Sequence, residues 1–405
     1  MASPVDTSVK HFLSTMAGAP VLSGTVGSGI AWLDALLVNG FDTKTLSALT
    51  VAGGVATAAF TGSHSAILDS VIAVAGVSGG PSGFAGLNGE QKVTGRPTTN
   101  TLTFATAATD GTYTGTITIK MAPLGFTKLF SKTNVAVYKS SDPASNGMCL
   151  RVDDTNAQWM RVIGYETMTD VDTGTGLFPT TAQVNGGAYW HRSVSANAIA
   201  VGWAFAGDSR TFYHSIRSGL SQGAGYDMGT IWGFGDLVAL RPSGDAFATF
   251  IAGSFTGTTT SVDNCLGNNG SSQIAVPRSF TGLGSAVLGY PQHWGGSSGS
   301  LYYSGATALH GGFPNRVDGA MYMAKEFWTG AGTVEPRGEF PGLYRVLQSG
   351  LYNFFKTGDR APATGALTGR NLAAFTCPAS ATTKNNNSDS SNTGIAFFDV
   401  TGPWR

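Results

Sequence analysis

The chain has 405 residues and a mass of 41.7 kDa, and its 24 basic and 24 acidic side chains leave a net charge of zero. Only 12% of positions are charged, about half of what soluble domains usually carry, while 42% are hydrophobic, 11% aromatic and 57 are glycine. This excludes a disordered chain, which needs low hydrophobicity and high net charge, a collagen, which needs a strict Gly-X-Y period, and the basic footprint of a nucleic-acid binder.

What remains is a glycine-rich, charge-poor, β-leaning protein, long enough for two or three domains. The first residues, Met1 to Lys10, lack the basic and apolar regions of a secretory signal. No apolar run approaches the roughly 20 residues of a membrane span. Cys149, Cys265 and Cys377 are widely spaced and odd in number, which argues against a disulfide framework. Buried thiols made in a reducing cytoplasm are the expectation.

Val9–Phe12 reads as a short extended piece. Ile30, Trp32, Leu33, Leu36 and Leu37 then form an apolar stripe at helical spacing, with Ser28 as candidate N-cap and Asn39-Gly40 as the stop. Residues 1–45 are expected to form an N-terminal docking segment carrying this one helix. From 46 to 133 the pattern is of short strands. Leu46–Val51 and Val55–Phe60 flank a glycine turn, and Thr101–Ala105 and Gly115–Lys120 alternate with period two. A small antiparallel β-sandwich is predicted there. Residues 134–405 are expected to form a larger β-rich domain. Its strands include Val135–Tyr138, Met148–Val152, Trp159–Tyr165, Ile199–Phe205, Thr211–Ile216, Ile231–Leu240, Phe247–Ile251 and Ile395–Val400. The fold class is therefore mainly β: antiparallel β-sandwich domains with a short N-terminal helix. Within the larger domain, residues 246–315 hold only two charged side chains, Asp263 and Arg278. A solvated surface carries more, so this region is expected to face other subunits.

Few residues carry a chemical pattern. His293 precedes Gly295-Gly-Ser-Ser-Gly299, which matches G-x-S-x-G, but a nucleophile elbow needs a strand before and a helix after, and here Pro291 precedes the motif and the segment from Leu301 reads as a strand. Asp170 and Asp172 offer part of an oxygen shell for Ca²⁺, without the acidic residue that closes an EF-hand loop. Asp208, Ser209 and His214 are the residue types of a triad, but a structural histidine is the expected reading. Glu335 and Glu339 beside Arg337 are the closest glutamate pair and read as a solvated turn. No zinc spacing and no phosphate-binding loop is present. No catalytic residue, cofactor or metal is assigned, and the chain is expected not to be an enzyme. Trp32, Trp190, Trp203 and Trp294 are the interaction candidates: aromatic rings serve sugar-stacking platforms and subunit contacts as well as cores.

Five segments, Ser3–Phe12, Met16–Gly24, Arg161–Gly176, Trp232–Asp245 and Phe398–Trp404, resemble a family of uncharacterised tailed-bacteriophage virion proteins, encoded often near tail genes. The resemblance implies a structural virion component, homo-oligomeric and placed in the tail, baseplate or tail tip. It would be assembled in the cytoplasm of the host bacterium, with other virion proteins as partners. A peripheral receptor- or glycan-binding tail module and a capsid decoration protein are the alternatives. Neither a nucleic-acid partner nor a membrane span is expected.

Overall fold

The computed structural model describes residues 3–217, 230–255, 266, 274–293, 311–330, 336–346, 348, 354–378 and 393–405. The chain is mainly β, its long sheets antiparallel throughout, with one short α-helix, Ser28–Leu33, near the N-terminus. The helix continues as a π-helical stretch over Asp34–Asn39 and ends at Gly40, whose φ of 73° takes the backbone out of the helical region. Trp32, Leu33, Leu36 and Leu37 are all buried, as the apolar stripe predicts. Ser28 is not the cap. Its hydroxyl donates to the Ser23 carbonyl at 2.9 Å. The exposed helix N–H groups of Gly29 and Ile30 instead donate to Asp154 Oδ2, at 2.8 and 3.2 Å. Asp154 in turn pairs with Arg192, and both side chains are fully buried.

After the helix, Phe41–Ala52 and Val55–Phe60 form the expected hairpin. Gly53 and Gly54 both have positive φ, the conformation a two-residue type I′ turn requires. Seven strands make this sheet, in the order Val55–Phe60, Thr101–Ala105, Gly89–Thr98, Val71–Ala75, Thr118–Met121, Phe41–Ala52, Gly111–Tyr113. Because Val55–Phe60 also pairs with Phe41–Ala52, the sheet closes on itself as a small barrel. A five-stranded sheet follows: Ala188–His191, Trp159–Tyr165, Cys149–Asp153, Val135–Ser140, Phe126–Lys132. Phe126–Lys132, which the sequence groups with residues 46–133, thus pairs with Val135–Ser140.

The remaining strands form one 13-stranded sheet. It begins with Lys10–Leu13 and runs through Trp203–Gly207, Thr211–Ile216, Thr230–Asp236, Thr249–Ala252, Ile274–Val276 and Val287–His293. Met323–Gly330, Pro336–Val346, Thr393–Asp399, Asn371–Pro378 and Arg360–Pro362 complete the path, and Val238–Ala239 joins Pro336–Val346 from the side. The two end strands meet: His11 of Lys10–Leu13 contacts Arg360 of Arg360–Pro362 through their side-chain nitrogens. Tyr213 also packs on Phe398, ring centroids 5.1 Å apart, across the rolled interior. One hydrophobic core runs through helix, barrel, five-stranded sheet and large sheet, and a smaller one surrounds Val346, Leu372 and Phe397.

Within residues 1–45, the expected docking segment, the described residues are built into the fold. Lys10–Leu13 is a strand of the large sheet, paired with Trp203–Gly207, and the helix fills the core with Trp32 and its leucines. The low charge of 246–315 has an internal cause as well as any external one. Thr249–Ala252 and Ile274–Val276 are buried strands of the large sheet, where charge is excluded by desolvation. Among the described residues no helix is long and apolar enough to cross a membrane.

Candidate functional site

Three of the four interaction candidates are core residues. Trp32, Trp190 and Trp203 are at most 1% exposed. They are held together by neighbours from distant segments. Trp32 meets Trp203 edge-on at 5.6 Å and His214 at 5.7 Å, and Trp190 meets His214 at 4.5 Å. The Trp190 indole N–H donates to the Ala252 carbonyl at 2.7 Å, that of Trp203 to the Pro20 carbonyl at 3.3 Å. Their size and apolarity are used inward, so none presents a ring to a sugar. Trp294 lies outside the described residues, as does Gly295–Gly299.

The carboxylate candidates are also accounted for. Asp170 Oδ1 accepts the backbone N–H groups of Asp172 and Thr173, which closes a turn. Asp172 bonds Lys132 at 2.6 Å and Arg151 at 2.8 Å. These bonds hold both carboxyls below their usual range. With two cations on Asp172, the pair is a surface ion-pair network rather than the oxygen-rich shell Ca²⁺ takes. Asp208, Ser209 and His214 do not converge. Asp208 holds Arg405 at 3.0 Å, Ser209 donates to Asp142 at 2.6 Å, and His214 stands among the tryptophans. Arg337 is buried with a bidentate hold on Asp245. Glu339 sits in the strand Pro336–Val346, so this stretch is sheet and not a solvated turn. Glu335 lies outside the described residues.

A second group of triad residue types, Asp42, His64 and Ser65, was not anticipated. Ser65 donates both its N–H, at 2.6 Å, and its hydroxyl, at 2.7 Å, to Asp42 Oδ2. His64 Nδ1 accepts the Ala66 N–H at 3.0 Å. The carboxylate therefore stands on the hydroxyl where a base would be needed, and no imidazole nitrogen reaches Ser65. Burial pushes His64 down to about 4, so it is neutral. The group fastens the segment before the strand Val71–Ala75 to the start of the barrel. Among the described residues no cluster of His, Cys, Asp and Glu has the composition of a metal centre.

Among the described residues, a polar cavity with a volume of about 150 Å³ lies on the large sheet. Its origin is a break in the strand ladder. Pairing along Met323–Gly330 advances from Lys325 to Phe327, while the partner strand jumps from Tyr344 to Glu339. The residues between, Phe340 to Leu343, bulge out; Pro341 has no N–H to give the ladder and Gly342 takes a φ of 69°. The Trp404 indole lies against Gly342, where any Cβ would collide with the ring. That indole donates to the Asp399 carbonyl at 2.7 Å and packs near Tyr213.

Two ion pairs flank the opening: Lys325 with Glu339 Oε2 at 2.7 Å, and Arg370 Nη1 with Asp399 Oδ2 at 2.6 Å. Tyr344 also lines the cavity. Its phenol is pushed up, first by burial and then by the Asp399 carboxylate. Among the described residues its hydroxyl has no hydrogen-bond partner. Sequence reasoning missed this site because its residues come from four strands, the loop residue Arg370 and a tail; the single local signal was Pro341-Gly342 inside a strand pattern. A larger groove, about 720 Å³, runs past Phe313, Met321, Met323, Phe355 and Leu367, and its one described charge, Asp318, is bonded by Tyr322.

No family model matches the chain, and no curated protein does. Among solved structures, the endosialidase of phage phi92 aligns at 12% identity over 90% of this chain and 52% of that one, with a TM-score of 0.16. The chain thus spans about half the length of that structure, and a TM-score of this size does not amount to a shared fold.

Proposed function

We propose that this protein is a structural component of a tailed-bacteriophage virion, homo-oligomeric in the tail or baseplate, and not an enzyme. The five family-like segments support the virion reading. The observation that carries the oligomer is an apolar rim where residues 240–241 meet the charge-poor stretch. Leu240, Phe280 and Leu283 are exposed, Leu283 at 72%. The Arg241 guanidinium lies over the Phe280 ring at 3.4 Å, which places 240–241 and 280–283 side by side. Apolar surface gathered in this way favours burial against another subunit. In a ring, the same patch repeats on every copy, so one favourable contact is multiplied by symmetry.

The test is made on the full chain. Light scattering is expected to find a defined multimer, and Leu283→Asp to shift it toward monomer with an unchanged far-UV spectrum. A wild-type monomer at micromolar concentration overturns the oligomer. Antibody labelling of purified phage particles is expected on the tail; label on the head, or none, overturns the tail assignment.

A further inference from the structure

We infer that the cavity between Tyr344 and Trp404 is a binding subsite for a neutral pyranose. This assignment stands apart from the virion reading and does not need it. Size sets the first limit: about 150 Å³ is the volume of a protein cavity that takes up benzene, so the opening admits one face of a single sugar ring and leaves the rest outside. Charge sets the second. Lys325 and Arg370 are balanced by Glu339 and Asp399, each in a closed ion pair, so the lining has no net charge to offer an ionic ligand. What it offers is a mixture of donors and acceptors. Among the described residues, Glu339 uses one carboxylate oxygen and Arg370 one of its guanidinium nitrogens, and the Tyr344 hydroxyl uses neither its proton nor its lone pairs. Hydroxyl groups both donate and accept, so adjacent hydroxyls on a ring satisfy such a set where a carboxylate or an amine satisfies only half of it. Trp404 and Pro403 supply the apolar wall against which the C–H face of a sugar packs.

The site is held from behind. The Trp404 indole is fixed by Gly342, by Tyr213 and by its bond to the Asp399 carbonyl, and Asp399 Oδ1 accepts the Thr401 N–H at 2.8 Å. The apolar wall and the Arg370–Asp399 pair are therefore positioned by the same short tail, Thr401–Arg405.

The probes are the methyl pyranosides of glucose, galactose, mannose and N-acetylglucosamine, with glucuronic acid and glucosamine as charged controls. They are read on the full chain by saturation-transfer NMR and tryptophan fluorescence. At least one neutral pyranoside is expected to bind in the millimolar range, about 1–10 mM, as suits one ring. Tyr344→Phe, which removes a single oxygen, is expected to weaken it about 5- to 10-fold with an unchanged melting curve. Lys325→Met is expected to weaken it as well. Trp404→Ala is expected to abolish binding; should that variant not fold, Tyr344→Phe decides alone. Absence of binding by all four pyranosides, preference for either charged control, or binding indifferent to Tyr344→Phe overturns the assignment.

Discussion

His214 shows how much one residue's role depends on neighbours that are remote in sequence. The alternation in Thr211–Ile216 predicts a strand, and the strand is there, but its burial is complete on both faces. Trp32, Trp190 and Trp232 surround the imidazole, and neither ring nitrogen has a hydrogen-bond partner. Burial alone pushes His214 down to about 3. The folded state therefore holds it neutral, while the unfolded chain protonates it near its ordinary value of about 6.5. Unfolding takes up a proton between those limits, so stability is complete above pH 6.5 and falls with acidification toward pH 3. The slope from this one group reaches about 1.4 kcal/mol per pH unit. His64 and His11, also lowered by burial, add to the wild-type slope, so denaturant titrations at stepped pH are expected to show the slope falling in His214→Phe by up to this one-group amount. An unaltered slope would contradict the role given to His214. Nothing local in the sequence separates a tryptophan in this cluster from one on a surface. The ring partners of Trp190, Phe212 and His214, arrive from another strand.

Elements were legible where their pattern is local and illegible where it is not. The helix announced itself by spacing, as did the Gly53-Gly54 hairpin by its turn and Trp159–Tyr165 by alternation. The helix cap did not, because it comes from Asp154, 125 residues after Gly29. Asp154 has two tasks there, closing the helix N-terminus and neutralising a guanidinium with no exposure to water. Asp154→Ala leaves Arg192 buried without its counter-charge and is expected to cost about 3–5 kcal/mol. Ser28→Ala, at the position the sequence favoured as cap, is expected to cost no more than about 1 kcal/mol, the scale of one ordinary hydrogen bond. Chemical denaturation of the two variants compares them directly. Break points in the sheet were illegible for the same reason. The bulge at Phe340–Leu343 is defined against a partner strand, and a lone sequence shows only its Pro341-Gly342.

At the scale of the whole molecule, the prediction of separate domains in series meets a chain whose first strand and last strands belong to one sheet. Sequence patterns identify strands but not the pairing of Lys10–Leu13 with Trp203–Gly207, since pairing over that separation leaves no periodicity to read. Removing residues 1–13 would strip that strand from the end of the sheet. It would expose the backbone edge of Trp203–Gly207 and take Phe12 from beside Phe41 and Phe205. The truncated chain is expected to aggregate, and static light scattering at low concentration checks it; a soluble product of native size would show that the end strand is dispensable. The open edge would also lie beside Arg360, whose side chain reaches His11 across the seam.

The same pairing imposes an order on synthesis. Lys10 leaves the ribosome long before its partner Gly207 exists. At about 5–20 residues per second the wait is on the order of 10–40 s. Throughout it Phe12 lacks Phe205, and Trp32 lacks Trp203, Phe205 and His214. This early-made segment therefore waits for partners encoded about 190 residues later, and its apolar side chains are open to a chaperone in that interval.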